Sequence, residues 1–428
     1  MRMRISALIA VVALWPALAG ATDIVSQWVQ FAPGGGAEAR VLTTSPQCPR
    51  LDVDGSQTAM TERAAPDANF NPQLCALTIP PGAKNVRVVE SPDSMTARGQ
   101  RAEALPLPVA NPRRIMVFGD TGCRIKGADL QACNDPRQWP FPRIAAEAAK
   151  LKPDLIIHVG DYLYRESACP TGNAGCAGSP WGDNWASWDA DFFAPAAPLL
   201  KVAPWVIVRG NHEDCARAGP GFLRLLGPLA FDPSAPCAAH LAPYAVPVGP
   251  VNLIVMDNAS APDPTIDHSQ VPDYQSDFAS LPGLSKPPTW LVMHRPIWGA
   301  ITGPLGVPVG GNAMMIAALD DSRALDGIEL MLAGHIHTFE AMNYASGAPT
   351  IVAGFGGDNL DVTPKDLSGA NLSGKYVKDG LSIGGFGFLI MVPEPGGWRI
   401  NVHGVDGKIE HVCHFTRGRV DCGSGNGG

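Results

Sequence analysis

Short apolar runs that end in glycine and a polar residue set the pattern of the chain after about residue 112. Ile115 to Phe118 ends at Gly119-Asp120, and Leu155 to Val159 ends at Gly160-Asp161. Between them, Pro142 to Leu151 is rich in helix formers behind a proline suited to a helix start. Strand, helix and strand in this order predict a right-handed parallel crossover.

The same pattern continues along the chain with looser connections. The later runs and their polar ends are Trp205 to Val208 with Gly210-Asn211-His212, Val251 to Met256 with Asp257, Thr289 to Met293 with His294, and Leu330 to Leu332 with Gly334-His335-Ile336-His337. Because the runs are almost wholly apolar, we expect a sheet covered on both faces. Ligands of open α/β sheets bind beyond the carboxyl ends of the strands, so these polar residues are the candidate site.

The residues before and after this segment have patterns that predict strands. Further runs follow it, at Thr350 to Ala353, Phe386 to Val392, Trp398 to His403 and Ile409 to Phe415, and they predict a second sheet that closes an α/β domain of residues 112–422. Before it, residues 22–111 predict a small β-rich region with strands such as Ala39 to Leu42 and Val86 to Val89, ending in a proline-containing linker. Residues 423–428 are expected to form a flexible tail.

The first residues have the pattern of a secretory signal. Arg2 and Arg4 precede the apolar stretch Ile5 to Ala19, and Ala19-Gly20-Ala21 is a small-residue cleavage site. We predict a signal peptide over residues 1–21, a mature chain without a membrane span, and a periplasmic or extracellular location. An uncleaved N-terminal anchor is the alternative.

The ten cysteines all follow the predicted cleavage site. An even count in an oxidising compartment favours disulfides. Neighbours along the chain suggest five local pairs: Cys48 with Cys75, Cys123 with Cys133, Cys169 with Cys176, Cys215 with Cys237, and Cys413 with Cys422. A zinc-thiolate site is disfavoured because no two cysteines are spaced C-x-x-C.

Composition and charge limit the kinds of molecule that the chain is expected to bind. The 428 residues are ample for a full core, with 46% hydrophobic and 17% charged residues. Lys and Arg number 32 against 40 Asp and Glu, which gives a net charge of −8 without a long basic run. We therefore expect no nucleic-acid partner. The oligomeric state is left open.

The polar strand ends bring together oxygen and nitrogen donors without a thiolate. The candidate metal ligands are Asp120, Asp161, Tyr164, Asn211, His294, His335 and His337, with His212 beside them. This mixture suits iron, manganese or zinc, and two such ions can clamp a phosphoryl group, with one aspartate bridging them. His335 and His337 occupy alternate positions, which on an extended segment point to the same side. Taken singly, each aspartate is also a good turn former, Tyr164 a core aromatic and each histidine a structural residue.

The ordered motifs resemble those of the purple acid phosphatase branch of the calcineurin-like metallophosphoesterases. They are Gly119-Asp120-Thr121-Gly122, Gly160-Asp161-Tyr162-Leu163-Tyr164, Gly210-Asn211-His212-Glu213, Val292-Met293-His294 and Gly334-His335-Ile336-His337, within about residues 113–360. The resemblance implies a two-sheet α/β/β/α sandwich. Many relatives carry D-x-H in the first motif, whereas Gly122 cannot bind a metal, and Tyr164 supplies the missing ligand in the purple enzymes. In the fourth motif, the residue three positions before the histidine is usually valine, and here it is Leu291.

The roles of the site residues follow from this resemblance. It implies a ferric ion held by Asp120, Tyr164 and His337, a bridging Asp161, and a divalent ion (Fe²⁺, Zn²⁺ or Mn²⁺) held by Asn211, His294 and His335. A metal-bound hydroxide would attack phosphorus, and His212 would act as a hydrogen-bond donor to the phosphate or as the acid for the leaving alcohol. Asn211 and Arg295 are further candidates for contact with the phosphate, although an arginine in a strand-end loop is often simply paired or solvated.

The predicted function is therefore that of an exported hydrolase of phosphate monoesters. A phosphodiesterase or nucleotide-processing esterase with the same metals is one alternative. A catalytically silent protein that keeps its metals for stability is another.

Overall fold

The structure is a computed structural model that describes residues 23–89, 104–319 and 322–423. The predicted signal peptide and the tail beyond residue 423 lie outside the described residues. Within the described ranges, no helix combines the length and apolar character needed to cross a membrane.

The N-terminal region is built of strands, as predicted. They are β1 (Ile24–Phe31), β2 (Ala37–Thr43), β3 (Arg50–Val53), β4 (Ser56–Ala59), β5 (Thr61–Ala64), β6 (Gln73–Ile79) and β7 (Val86–Val89). Strands β3, β4 and β7 form a small sheet of their own, whereas β1, β2, β5 and β6 belong to a large sheet that continues into the rest of the chain. The predicted domain boundary between residues 111 and 112 stays a prediction.

The middle of the chain contains the predicted parallel crossover. Its elements are β8 (Ile115–Phe118), β9 (Ile125–Lys126), β10 (Asp129–Leu130), α1 (Phe141–Lys150), β11 (Leu155–His158), α2 (Trp185–Trp188), α3 (Ala194–Leu200), β12 (Trp205–Ile207) and α4 (Gly219–Leu225). Strands β8, β11 and β12 are parallel neighbours. Helix α1 packs on the sheet because Phe141, Ile144, Ala145 and Ala148 recur on one face and are buried.

A second sheet follows along the chain. The elements of this segment are β13 (Tyr244–Val248), β14 (Val251–Val255), α5 (Val271–Leu284), β15 (Thr289–Val292), β16 (Ala300–Thr302), β17 (Pro308–Gly310), α6 (Ala313–Ala318), β18 (Ile328–Ala333), β19 (Phe339–Tyr344), β20 (Thr350–Ala353), β21 (Asn371–Leu372) and β22 (Lys375–Ile383). The sheet order is β13-β14-β15-β18-β20-β19-β22-β21, and β14, β15, β18 and β20 are parallel. Strands β16 and β17 form a separate hairpin.

The C-terminal strands return to the first sheet. They are β23 (Gly387–Glu394), β24 (Gly397–Gly404), β25 (Ile409–Thr416) and β26 (Arg419–Cys422), and the large sheet has the order β26-β25-β24-β23-β8-β11-β12-β1-β2-β6-β5. The prediction that the C-terminal runs form the second sheet is wrong for these strands, and only β20 joins that sheet. Alternating hydrophobicity predicts a strand but does not identify its partner, and β23 pairs with β8 although Leu389 and its partner Val117 are far apart in sequence.

The two large sheets pack face to face and carry helices on their outer faces. Residues of β8 alternate: Val117 faces the second sheet, where it joins Val292 and Leu332 in one core, and Phe118 faces the helices. A third core lies between the second sheet and helices α5 and α6. This arrangement confirms the α/β/β/α sandwich and explains why the central strands are apolar on both faces.

All five predicted disulfides are present. The pairs are Cys48–Cys75, Cys123–Cys133, Cys169–Cys176, Cys215–Cys237 and Cys413–Cys422. Two of them close loops that begin next to the candidate site, at Cys123 after Asp120 and at Cys215 after Asn211.

Candidate metal centre

The predicted ligands lie at one edge of the sandwich, beyond the carboxyl ends of parallel strands from both sheets. Asp120, Asp161 and Asn211 follow β8, β11 and β12 of the first sheet. His294 follows β15 and His335 follows β18 of the second sheet. The contact of Asp161, after the first sheet, with His294, after the second, shows that residues far apart in sequence converge between the two sheets.

Three side chains surround the phenolic oxygen of Tyr164. This oxygen lies 2.8 Å from Oδ2 of Asp161, 3.1 Å from Oδ1 of Asp120 and 3.2 Å from Nε2 of His337. Nε2 of His337 is in turn 3.3 Å from Oδ1 of Asp120. All four side chains are buried, so two carboxylates, a phenol and an imidazole converge on one small volume away from bulk water.

A second group of donors shares Asp161 with the first. Nε2 of His294 lies 3.3 Å from Oδ2 of Asp161 and 3.0 Å from Oδ1 of Asn211. The same amide position of Asn211 is 2.7 Å from Nδ1 of His335. Donor atoms of Asp161, His294 and His335 all lie within 4.8 Å of one another, an arrangement that could hold a metal ion. Asp161 is therefore common to both groups.

The three histidines each turn one ring nitrogen toward the centre. Nδ1 of His294 donates to the carbonyl of Val159 at 2.8 Å, and Nδ1 of His337 donates to the carbonyl of Asn359 at 2.5 Å. In His335 the two ring nitrogens exchange these roles, because Nε2, and not Nδ1, contacts the supporting oxygen: it lies 2.7 Å from Oδ2 of Asp263. Ligating histidines are oriented in this way, with the distal N–H on a carbonyl or carboxylate.

The orientation of the Asn211 amide is a further test of whether these residues fit a metal ion. Its oxygen faces the ring nitrogens of His294 and His335, whereas rotation of the amide would let its NH₂ donate to both and its oxygen accept from the backbone N–H of His212. Hydrogen bonding alone favours the rotated amide, and a cation among the three groups favours the oxygen. The donor set, all oxygen and nitrogen, fits iron, zinc or manganese.

Three of the predicted ligands occupy the left-handed backbone region. The φ angles of Asp120, Asp161 and His335 are 57°, 60° and 72°. Such residues are uncommon outside glycine and concentrate at functional sites. For His335 and His337, the expected extended segment is wrong: residues 335–338 form bends, and the turn at His335 sends both rings into the cleft.

Buried carboxylates fix the loops that carry the ligands. Glu213 accepts the backbone N–H groups of Asp161, Tyr162 and Leu163 at 2.8–3.1 Å, and Asp191 accepts that of Tyr164 at 2.9 Å. Burial, with the charge of Asp161, raises the pKa of Glu213 to about 8. Neither supporting residue was predicted from the sequence, although Glu213 stands in the same motif as Asn211.

The charges within the centre shift the pKa values of its members. Burial opposes ionisation of Asp161, but the imidazoles of His294 and His212 outweigh it and hold the pKa of that carboxyl well below its usual range. Burial likewise opposes the charge on His294, yet Asp161 and Asp120 raise its pKa to about 9. Burial raises the pKa of Tyr164 well above its usual value, and Asp120 and Asp161 add to the effect.

His212 lies beside the centre, over the ring of Tyr164 at 3.8 Å between centroids. Its Nδ1 is 2.6 Å from Oε1 of Glu166, and its Nε2 is 3.9 Å from Oδ2 of Asp161. Burial lowers the pKa of His212, while Asp161 and Glu166 oppose that shift. Glu166 was not predicted, although it lies two residues after Tyr164.

A cavity of about 410 Å³ opens over the centre. Its lining comprises Arg124, Lys126, Asp129, Asp161, Asn211, His212, Arg217, His335, His337, Asn359, Leu360 and Asp361. Arg295 does not line it. The guanidinium of Arg295 pairs with Asp263 and lies 3.1 Å from Nε2 of His335, so the predicted phosphate contact of Arg295 stays a prediction.

Comparison with known proteins is consistent with this site. The family model of calcineurin-like phosphoesterases matches residues 113–339. The structure of a purple acid phosphatase from yellow lupin (Lupinus luteus) seeds is similar, with a TM-score of 0.57 and 12% identity over 91% of this chain and 74% of that chain. The structure of PhoD is similar with a TM-score of 0.52 and 13% identity over 94% and 92%. At these identities the two structures show a shared fold. No curated protein sequence matches this chain.

Proposed function

The chain belongs to the calcineurin-like phosphoesterase family, and on that basis we propose that it is a dinuclear phosphomonoesterase of the purple acid phosphatase type. Family membership makes it a hydrolase of phosphate esters. The proposal adds the number and sites of the metal ions, the preference for monoesters, and the roles of individual residues.

The observation that carries the proposal is the position of the Tyr164 phenol. Its oxygen has the carboxylates of Asp120 and Asp161 and the imidazole of His337 within 3.2 Å. A phenol among carboxylates suits a ferric ion, which favours hard anionic oxygen ligands. This position distinguishes the chain from relatives that use a histidine two residues after the first aspartate, where Gly122 stands here.

The residues divide into two ligand sets. Asp120, Tyr164 and His337 would hold the ferric ion, and Asn211, His294 and His335 the divalent ion. Asp161 would bridge them, which its central position supports. When bound, such a pair of cations makes water more acidic and offsets the charge that develops on a phosphoryl group.

The remaining chemistry belongs to the chain itself. Nδ1 of His212 lies 2.6 Å from Oε1 of Glu166, and His212 lines the cavity. From this position a doubly protonated His212 can pass the proton of Nε2 to the leaving oxygen of the ester. The left-handed turns at Asp120 and Asp161 hold the two carboxylates in place before any substrate arrives.

The test is hydrolysis by the purified chain loaded with iron and zinc. We expect kcat/KM for p-nitrophenyl phosphate to exceed that for bis-p-nitrophenyl phosphate. Chelator-treated protein is the control, and it should lose activity and regain it on reloading. A preference for the diester would replace the proposal with a phosphodiesterase. Two bound metals without turnover of either ester would indicate a silent binding protein.

We further propose that the protein is exported. Five disulfides that use all ten cysteines support folding in an oxidising compartment. Mass spectrometry of the protein from its native cells should give a mature N-terminus near Thr22. An intact residue 1 on cytoplasmic protein with free thiols would contradict export.

A further inference from the structure

The guanidinium of Arg124 lies over the ring of Tyr164, with Cζ 4.9 Å from the ring centroid. The ring is fully buried, and the Arg124 side chain is 15% exposed. A cation within about 6 Å of an aromatic centroid is attracted to the face of the ring. The attraction is stronger for a phenolate, because two full charges of opposite sign then interact. Arg124 therefore contacts a proposed iron ligand through its ring.

Asp358 fixes the guanidinium in this position. Nε of Arg124 donates to Oδ1 of Asp358 at 3.2 Å, and Nη2 donates to Oδ2 of the same carboxylate. Nη1 lies 3.4 Å from Oδ2 of Asp129. The Asp358 side chain is fully buried, and a planar guanidinium held by one carboxylate at two nitrogens has a defined orientation. The chain thus sets the distance of this cation from the ring.

The pair of Arg124 and Asp358 is joined to the loops that carry the proposed iron ligands. The backbone N–H of Asp358 donates to the carbonyl of Asp120 at 2.9 Å, and Oδ2 of Asp358 lies 3.5 Å from Nδ1 of His337. Arg124 and Asp358 are 234 residues apart in sequence. Asp120, Tyr164 and His337 are therefore all in contact with a pair that the fold brings together.

The position of the cation determines how it acts on a phenolate bound to iron. In the proposed function, on which this inference rests, the phenolic oxygen of Tyr164 binds a ferric ion, which would lie beyond that oxygen and farther from the guanidinium than the ring is. A positive charge lowers the energy of electrons, and more so at shorter distance. Arg124 would therefore stabilise the electrons of the phenolate more than the acceptor orbitals of the iron. The energy that moves an electron from phenolate to iron would rise.

We propose that Arg124 acts on the ferric site through the ring of Tyr164, so that the visible band lies at shorter wavelength and the iron is more easily reduced than without this cation. Arg124 is a positioning residue in this role, because it acts through Tyr164 and contacts neither the iron nor the reacting atoms. The effect on reduction has the same origin. A phenolate whose electrons are stabilised by a cation donates less charge to iron, and nearby positive charge favours the ferrous state.

The test compares two iron-loaded variants that differ only at position 124: Asp358→Asn, and Arg124→Met combined with Asp358→Asn. Because Asp358 is neutralised in both, neither variant leaves its buried charge without a partner. We expect the visible band of the double variant to lie at longer wavelength by about 10 nm or more, and its reduction potential to be more negative. Arg137→Met removes an exposed guanidinium that pairs with Asp135, and it should leave the native band and potential unchanged.

Two further variants keep the test decisive if the methionine variant does not fold. In Arg124→Gln with Asp358→Asn, the two amides can hydrogen-bond in place of the ion pair, and the band should move in the same direction. In Arg124→Lys with Asp358→Asn, a cation is restored, and the band should return toward that of Asp358→Asn. Circular dichroism checks that each variant has the native fold.

Equal bands in Asp358→Asn and in the folded variants without the cation would overturn the role of Arg124, and so would a shift to shorter wavelength. Failure of the proposed function looks different, because the native chain would then bind iron without a visible band or would bind none. That result would remove both proposals. A coloured native chain with an unmoved band in the variants would remove only the role of Arg124.

Discussion

The phenolic oxygen of Tyr164 lies 2.8 Å from a carboxylate oxygen of Asp161, three residues earlier in the chain. Both side chains are buried, and the guanidinium of Arg124 covers the tyrosine ring at 4.9 Å. The turn at Asp161, with its positive φ, brings residues 161 and 164 to face the same point. This pair joins the two groups of donors, since Asp161 also lies 3.3 Å from His294.

Replacement of Tyr164 by phenylalanine tests whether the phenol binds iron. A phenolate on ferric iron absorbs visible light, so the native chain should be coloured and Tyr164→Phe should lose the band. The packing should survive, because the ring is retained. Tyr376→Phe, at an exposed tyrosine, is the control and should keep the colour. An unchanged spectrum in Tyr164→Phe would contradict ligation by the phenol.

Replacement of His212 by alanine separates proton transfer from metal binding. His212 is not among the proposed ligands, so metal content should stay at the native value. Turnover should fall by about 10²- to 10⁴-fold, the range for lost acid-base assistance. His414→Ala, at an exposed histidine paired with Glu394, should leave both unchanged. Loss of metal in His212→Ala would make His212 a ligand instead.

Replacement of Asp263 by alanine tests how the divalent ion is held. Asp263 fixes Nε2 of His335 at 2.7 Å and also pairs with Arg295. Without it the imidazole loses its orientation, so affinity for the divalent ion should fall by about 10- to 100-fold in a competition titration. Asp267→Ala removes another half-buried carboxylate, four residues later, and should keep native affinity. Native affinity in Asp263→Ala would show that Asp263 does not orient the ligand.

Glu340 on β19 gives the fold a pH dependence. The carboxyl is fully buried, and its Oε1 has no hydrogen-bond partner among the described residues. Burial raises its pKa to about 8. The neutral form is thus favoured in the folded chain, and the native fold loses stability as pH rises from the unfolded pKa near 4.5 through about 8.

The isosteric variant Glu340→Gln removes that ionisation. Denaturant unfolding gives the free energy of unfolding of both chains. The value for the variant, relative to that for the native chain, should rise by about 2 to 4 kcal/mol between pH 5 and pH 8. Glu329→Gln, at a half-buried glutamate on β18, is the matched control. Its free energy of unfolding should differ from that of the native chain by the same amount at both pH values. A constant difference between Glu340→Gln and the native chain across this range would contradict the buried ionisation.

Much of the centre could be predicted because parallel strands end at the same edge of a sheet. The polar residues after β8, β11 and β12 are adjacent for that reason alone, and the disulfides followed from closeness along the chain. The partners of the C-terminal strands could not be predicted, because the choice between two apolar sheets depends on packing that hydrophobic pattern does not encode.

The residues that orient the ligands could not be predicted from the sequence, for a different reason. Asp263 contacts His335 across 72 residues, and Asp191 holds Tyr164 from a helical segment with no motif of its own. Such contacts depend on how loops fold over the cleft. The turn at His335 was also missed, because a strand-like sequence gives no sign of a left-handed residue.

We propose that side chains from both sheets bind two cations that share Asp161. Metal analysis of the purified native chain and of Asp161→Ala tests it most directly. We expect two metal ions per native chain, and the loss of both in Asp161→Ala. Two ions per chain in Asp161→Ala, or a native chain that binds no more than one ion in excess iron and zinc, would contradict it.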